Sequence, residues 1–207
     1  MLRMLYRLTT PWGIATPAQL LKDRMLGRLA NYLYPPYCAL KPLPRPPAQD
    51  KPSPRVIVTL TSFPKRIGKL HLCLNSILRQ TRPADLVLLY LAKDEFPDPA
   101  TLPEPLRRLA DTGRISIRWC ENLRSFKKIF FAAQEYPDDI LITADDDTFY
   151  PEDWIEGLLR LHAQYPGCVC CYRAAGVRLN VRGAPLPYGQ FDKLSNGVKG
   201  PSFLLLP

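Results

Sequence analysis

Two short apolar runs bracket a helical pattern near the middle of the chain, and their order fixes the class of fold. Val56-Ile57-Val58-Thr59-Leu60-Thr61 and Leu86-Val87-Leu88-Leu89-Tyr90-Leu91 each read as a buried strand. Between them Ile67, Leu70, Leu74, Ile77 and Leu78 share one helical face, so a helix is predicted over 66–79, stopped by Gln80-Thr81-Arg82-Pro83. Strand, helix, strand in that order implies a right-handed crossover and a parallel sheet. Two more strands are expected. One is Ile115-Ser116-Ile117-Arg118-Trp119, after a short helix that ends at Thr112 and Gly113. The other is Ile140 to Thr143, after a helix over 126–135. A last helix follows Pro151, with Glu152 and Asp153 in its first turn, where acids suit the helix dipole. Trp154, Leu158, Leu161 and His162 form its packing side, and His71 also reads as structural. The fold class is α/β.

The fourth strand runs into Asp145-Asp146-Asp147. Adjacent carboxylates repel, so a fold that gathers them at a strand end supplies a cation or a phosphate-bound metal. Open α/β sheets bind ligands in the crevice beyond the carboxyl ends of their strands. Hard carboxylate oxygens suit Mg²⁺ or Mn²⁺ rather than zinc. Asp145 and Asp147 therefore suggest a divalent cation holding the diphosphate of a nucleotide; a solvated acidic loop is the plainer alternative. The other loops at the same ends carry Thr61, Ser62, Lys65 and Arg66, then Lys93, Asp94 and Glu95, then Ser125, Lys127 and Lys128. Together they offer donors for a base and ribose, cations for phosphate and carboxylates for a metal. Taken singly, each lysine or arginine reads as a surface charge.

Charge is concentrated at the front. Residues 1–54 hold eight Lys/Arg and two Asp/Glu, a balance of +6; residues 55–207 hold twenty and seventeen, a balance of +3. A basic front on a near-balanced body points to an anionic surface. No nucleic-acid motif accompanies it, and membrane lipid is the favoured partner. The opening Met1-Leu2-Arg3-Met4-Leu5-Tyr6-Arg7 is too broken by Arg7 and Pro11 for a secretory apolar core. Thr16-Pro17-Ala18-Gln19 is a helix start with a capping threonine, proline at the first position and glutamine at the third. Leu21, Met25, Leu29 and Tyr32 then recur at helical spacing among Lys22, Arg24 and Arg28. Such a helix lies in a membrane interface, packs on the body or meets a partner; an organelle transit peptide is a weaker reading.

Prolines crowd 34–54, at Pro35, Pro36, Pro42, Pro44, Pro46, Pro47, Pro52 and Pro54. Proline removes the donors a helix or central strand needs, so an extended linker is expected. The chain then divides into 1–54, a basic amphipathic segment with its linker, and a body over 55–207. The cysteines do not form two Cys-x-x-Cys pairs, so a zinc site is not expected. Cys73 and Cys120 read as buried, and Cys168-Val169-Cys170-Cys171 as a buried strand. Nothing suggests a disulfide framework, which makes a reducing compartment the default.

Val56 to Ile67, with Thr61-Ser62-Phe63-Pro64-Lys65-Arg66 at its turn, resembles bacterial family 2-like glycosyltransferases. So do Ser125-Phe126-Lys127-Lys128, Tyr136-Pro137-Asp138-Asp139-Ile140, and Thr143-Ala144-Asp145-Asp146-Asp147-Thr148-Phe149-Tyr150-Pro151-Glu152-Asp153-Trp154. The resemblance spans about 55–207 and implies a nucleotide-sugar-binding domain of the GT-A type. It implies Asp145 and Asp147 as metal ligands for Mn²⁺ or Mg²⁺, and Asp145 and Asp146 at the donor. It implies Thr61, Ser62 and Arg66 at the base, Lys127 or Lys128 at the diphosphate, and Asp94 at the nucleoside. Adjacent helical positions diverge by about 100°, so one of the two lysines is expected to face the site. Ala92-Lys93-Asp94-Glu95 departs from the Asp-Asp-Gly-Ser of many relatives.

The implied function is metal-dependent transfer of a sugar from a UDP-sugar donor to a glycan or glycolipid acceptor of cell-surface polysaccharide or lipopolysaccharide. The expected place is the cytoplasm, peripheral on the inner membrane face. The sheet is expected to be incomplete at its C-terminus, because Gly200 to Pro207 reads as the start of a segment that relatives continue. The acceptor site and any catalytic base are expected beyond it. Asp192 is the sole acid after Glu156 and is not assigned that role. Two alternatives stand beside this: a non-catalytic remnant of such an enzyme, and a nucleotidyltransferase, which lacks the support of a glycine-rich phosphate loop.

Overall fold

A computed structural model describes residues 1–9, 16–45, 54–172, 174–194 and 204–205. Its centre is a four-stranded parallel sheet in the order β3-β2-β1-β4, with β1 Val56–Thr61, β2 Leu86–Ala92, β3 Ser116–Cys120 and β4 Ile140–Thr143. β1 is flanked on both sides, pairing Val58 with Val87 and with Ile142. Its residues alternate between two cores, so both faces of a largely apolar run are covered.

Side-chain alternation sorts the sheet into two layers. Val56, Val58 and Leu60, with Val87, Leu89 and Leu91, face the larger core. That core is closed by α3 Leu70–Leu78, α4 Glu104–Asp111 and α6 Trp154–Gln164. Ile57, Leu88, Tyr90 and Cys120 face the smaller one, covered by α5 Lys127–Glu135 through Ala132. At the amino-terminal edge Asp139 accepts from the Arg55 backbone N–H at 2.7 Å and from its guanidinium at 2.6 and 3.0 Å, tying the start of β1 to β4. Because all four strands are parallel, their carboxyl ends meet at the opposite edge. Beyond β4 come β5 Thr148–Phe149, which pairs with β8 Leu204–Leu205, and a ribbon of β6 Ala174–Gly176 with β7 Asp192–Leu194.

The basic front end packs on the body. α1 Leu2–Leu8 buries Leu2, Leu5 and Tyr6, and the Tyr6 hydroxyl donates to the Phe149 carbonyl. The Glu152 carboxylate accepts from the Met1 amine at 2.8 Å and from the N–H groups of Leu2 and Arg3 at 3.1 and 2.6 Å. Glu152 therefore serves the start of α1 rather than that of α6. Burial alone would raise its carboxyl, but the amine and the Arg3 N–H outweigh this and hold it below the usual value. α2 Pro17–Leu40 begins with the expected capping box at Thr16 and Gln19 and seats Tyr34 against Phe149, ring centroids 4.6 Å apart.

Three local expectations are corrected. Pro35 and Pro36 lie inside α2 rather than in an extended linker. The helix continues past them because Tyr34 is buried on the body and Arg79 takes up the carbonyls at the helix end, donating to Cys38 at 3.4 Å, to Lys41 and to Pro42 at 3.0 Å. Residues 46–53 of the proline-rich stretch lie outside the described residues, as do 195–203 and 206–207. Cys168 to Cys171 form no buried strand. They follow the turn after α6, with Cys168, Val169 and Cys171 exposed and Cys170 half-buried. His162 is exposed; the packing side of α6 is Trp154, Ile155, Gly157 and Leu158.

Gly157 belongs to that side for a reason. A β-carbon there would collide with the Tyr172 hydroxyl. That hydroxyl donates to the Trp154 carbonyl at 3.2 Å, and burial pushes its pKa up to about 12. Gly157→Ala is expected to displace Tyr172 at about 1–2 kcal/mol. Urea denaturation checks this, and Tyr172→Phe, which removes the colliding atom, should recover part of the loss.

Candidate functional site

A cleft of about 480 Å³ opens at the carboxyl edge of the sheet. β1 delivers Thr61 and Ser62 to it, and the turn after β1 delivers Phe63 and Arg66. The loop after β4 delivers Asp145, Asp146 and Asp147, and the start of α5 delivers Lys127 and Lys128. This convergence follows from the parallel sheet, which sends every strand's carboxyl end to one edge.

The acidic run divides its labour. Asp146 is buried and turned into the protein, accepting from the Ser62 hydroxyl at 2.7 Å and from Arg66 at 3.0 Å. Asp147 pairs with the same Arg66 nitrogen at 2.6 Å, and the Thr148 hydroxyl donates to it at 3.4 Å. Asp145 is the most exposed of the three, and the Lys128 ammonium donates to it at 2.6 Å. Its backbone is held from behind, where its N–H donates to the Tyr150 hydroxyl at 2.7 Å and its carbonyl accepts from Cys73 at 3.3 Å. Burial raises the pKa of the Tyr150 phenol and of the Cys73 thiol, so both remain protonated donors at neutral pH. Arg66 lies over the Phe63 ring at 5.3 Å, and its hydrogen bond to Asp146 raises its pKa further.

Both lysines of α5 line the cleft, Lys127 toward Glu95 after β2 and Lys128 toward Asp145 after β4. Their long stems reach past the divergence of adjacent helix positions. Lys127 is buried and donates to Glu95 at 2.8 Å and to Asn122 at 3.4 Å. Asp94 does not line the cleft; it accepts from Asn122 at 3.1 Å, one residue removed from Lys127. Glu95 stands in the wall instead. Arg124 and Phe63 also line the cleft and were not among the site residues expected from sequence. Arg124 has a φ of 52°, unusual for a residue with a side chain, and no pattern in the sequence signals it.

The charges close on one another. Glu95, Asp145, Asp146 and Asp147 face Arg66, Arg124, Lys127 and Lys128 among the lining residues. Among the described residues no three His, Cys, Asp or Glu side chains converge on one point. Asp145 and Asp147 are 62% and 25% exposed on the cleft, and Glu95, also in its lining, is taken up by Lys127. Two carboxylates fit a small hard cation, which keeps several waters and completes its shell with substrate phosphates.

The fold matches what a comparison with known families finds. The model of the family described as Glycosyl transferase family 2 matches residues 60–194, from the last turn of β1 to the end of β7. That stretch includes every residue placed above in the cleft. No curated protein matches the chain.

Proposed function

The chain belongs to glycosyl transferase family 2, and from that premise we propose that it transfers a sugar from a UDP-sugar donor to a glycan or glycolipid acceptor of cell-surface polysaccharide or lipopolysaccharide. Family membership implies a nucleotide-sugar donor and an acceptor, and enzymes of this family commonly use divalent metals. The proposed donor-binding unit is 55–207, with 1–54 as its attachment segment on the cytoplasmic face of a membrane. No helix among the described residues is long and apolar enough to cross one.

The observation that carries the reading is the pairing of Lys128 with Asp145 and of Arg66 with Asp147 across one cleft. A metal-diphosphate ligand carries the same charges as these pairs, cation and anion together, and can exchange with both. Asp145 and Asp147 would hold Mn²⁺ or Mg²⁺, and the ion would offset negative charge on the departing nucleoside diphosphate. Lys128 and Arg66, released from the carboxylates, take diphosphate oxygens. Asp146, itself buried, keeps Arg66 in place during the exchange. Thr61, Ser62 and Phe63 border the base, and Asp94, which lies outside the cleft lining, takes no part in this reading. The paired Lys127 and Glu95 shape the wall beside them.

Exchange makes the two ligands depend on each other. A metal ion alone must displace an ammonium, and a diphosphate alone must displace a carboxylate. Thermal shift with UDP, UDP-sugars and other nucleoside diphosphates tests the reading. Stabilisation is expected where Mn²⁺ and a nucleoside diphosphate are both present, and little with either alone. Lys128→Gln should weaken the joint binding about tenfold, the worth of a charge-assisted hydrogen bond, while metal alone binds somewhat tighter. Equal stabilisation by UDP with and without metal in both proteins would refute the exchange.

A further inference from the structure

α2 carries apolar residues on two opposite sides, and the body covers one. At about 100° per residue, Leu26, Ala30, Tyr34 and Tyr37 fall in one sector, and these pack into the core. Leu21, Met25, Leu29 and Tyr32 fall in the opposite sector and are 60%, 63%, 43% and 79% exposed. The face singled out by its spacing is thus not the packing face. Exposed Arg24 and Arg28 flank it on one side and exposed Lys22 on the other. The sole acid of the helix, Asp23, falls in the body-facing sector and is half-buried.

We propose that this outer face of α2 is a docking surface for an anionic lipid bilayer, with the helix lying in the plane of the interface. The proposal sharpens the peripheral attachment stated above but does not depend on the donor site. An apolar stripe bordered by cations suits acyl chains below and lipid phosphates beside them. Leu21, Met25 and Leu29 enter the headgroup–acyl boundary, Tyr32 sits at its polar margin, and Lys22, Arg24 and Arg28 meet the phosphates. A second copy of the chain fits this face less well, because it would bring three cations against three. The face runs from Leu21 to Tyr32 of the 24-residue helix, about 18 Å at 1.5 Å per residue, which gives the contact length without any crossing of the membrane.

The test is co-sedimentation of the full chain with vesicles of phosphatidylcholine and phosphatidylglycerol, against phosphatidylcholine alone. Two variants accompany it: Leu21→Ser with Met25→Ser and Leu29→Ser, and Lys22→Gln with Arg24→Gln and Arg28→Gln. All six positions are exposed, so the fold should survive, and far-UV circular dichroism with a thermal melt verifies that. The wild type should bind the anionic vesicles and release in high salt. The neutralised variant should lose up to about a hundredfold in affinity, at about fivefold per charge. The apolar variant should lose at least as much. A folded wild type that ignores anionic vesicles, or binding unchanged in both variants, overturns the proposal. So does concentration-dependent self-association that the serine variant abolishes, which would assign the face to a second copy. Nucleotide binding is read separately, so either result leaves the donor-site reading to its own test.

Discussion

Replacing Asp147 by alanine is expected to abolish metal-dependent binding of a nucleoside diphosphate while leaving the protein folded. In the structure Asp147 holds Arg66, which Asp146 also holds, and a long 3.4 Å hydrogen bond from the Thr148 hydroxyl. Its partner Arg66 keeps the buried Asp146 at 3.0 Å, and the pair it loses is part-exposed on both sides. Such a pair contributes about 0–1 kcal/mol, so the melt should move little. The effect on ligand is of another order. Removing even a supporting partner of a metal ligand costs about 10–100-fold, and Asp147 is assigned as a ligand, so calorimetry in Mn²⁺ should show at least about a hundredfold weaker binding of UDP. The sign reverses without metal. Arg66, freed of one carboxylate, should take a diphosphate slightly better in the variant than in the wild type. That reversal separates loss of a metal ligand from general damage to the cleft.

The second large effect is on stability. Glu95→Ala is expected to cost about 3 kcal/mol, the low end for stranding one partner of a buried ion pair. Lys127 is 2% exposed, and its ammonium has Glu95 at 2.8 Å and the weaker Asn122 contact at 3.4 Å. Glu95 is 26% exposed at the cleft wall, so water entering from that side keeps the cost from the top of the range. Adding Lys127→Met should restore most of the loss, because an apolar side chain of similar length needs no counter-charge. Urea denaturation measures both. A single variant as stable as the wild type would mean that Glu95 does not hold the buried lysine.

The sheet was legible because β1, β2 and β4 are apolar runs of strand length bounded by polar turns, and the helix between β1 and β2 repeats its apolar residues at the right period. β4 lies over the expected Ile140 to Thr143. The cleft was legible for a related reason. In a parallel sheet the residues after each strand share an edge, so Thr61, Ser62, Arg66 and the acidic run could be brought together without coordinates. What sequence could not supply was which partner each charge takes. Asp146 looked like its neighbours, and only packing shows it turned inward to Ser62. Glu95 and Asp94 are adjacent in the chain, and the wall position went to Glu95 because Lys127 needed a counter-charge. α2 departs from expectation at its prolines. Pro35 and Pro36 read as the start of an extended linker, whereas tertiary contacts through Tyr34 and Arg79 decide where the helix ends.

The most direct test of the donor site is calorimetric titration of the wild-type chain with UDP in the presence and absence of Mn²⁺. Saturable one-to-one binding is expected with metal and binding weaker by at least about a hundredfold without it, the difference vanishing in Asp147→Ala. A folded protein that binds UDP equally well in both conditions, or not at all, would contradict the assignment of Asp145 and Asp147 as the metal-diphosphate site.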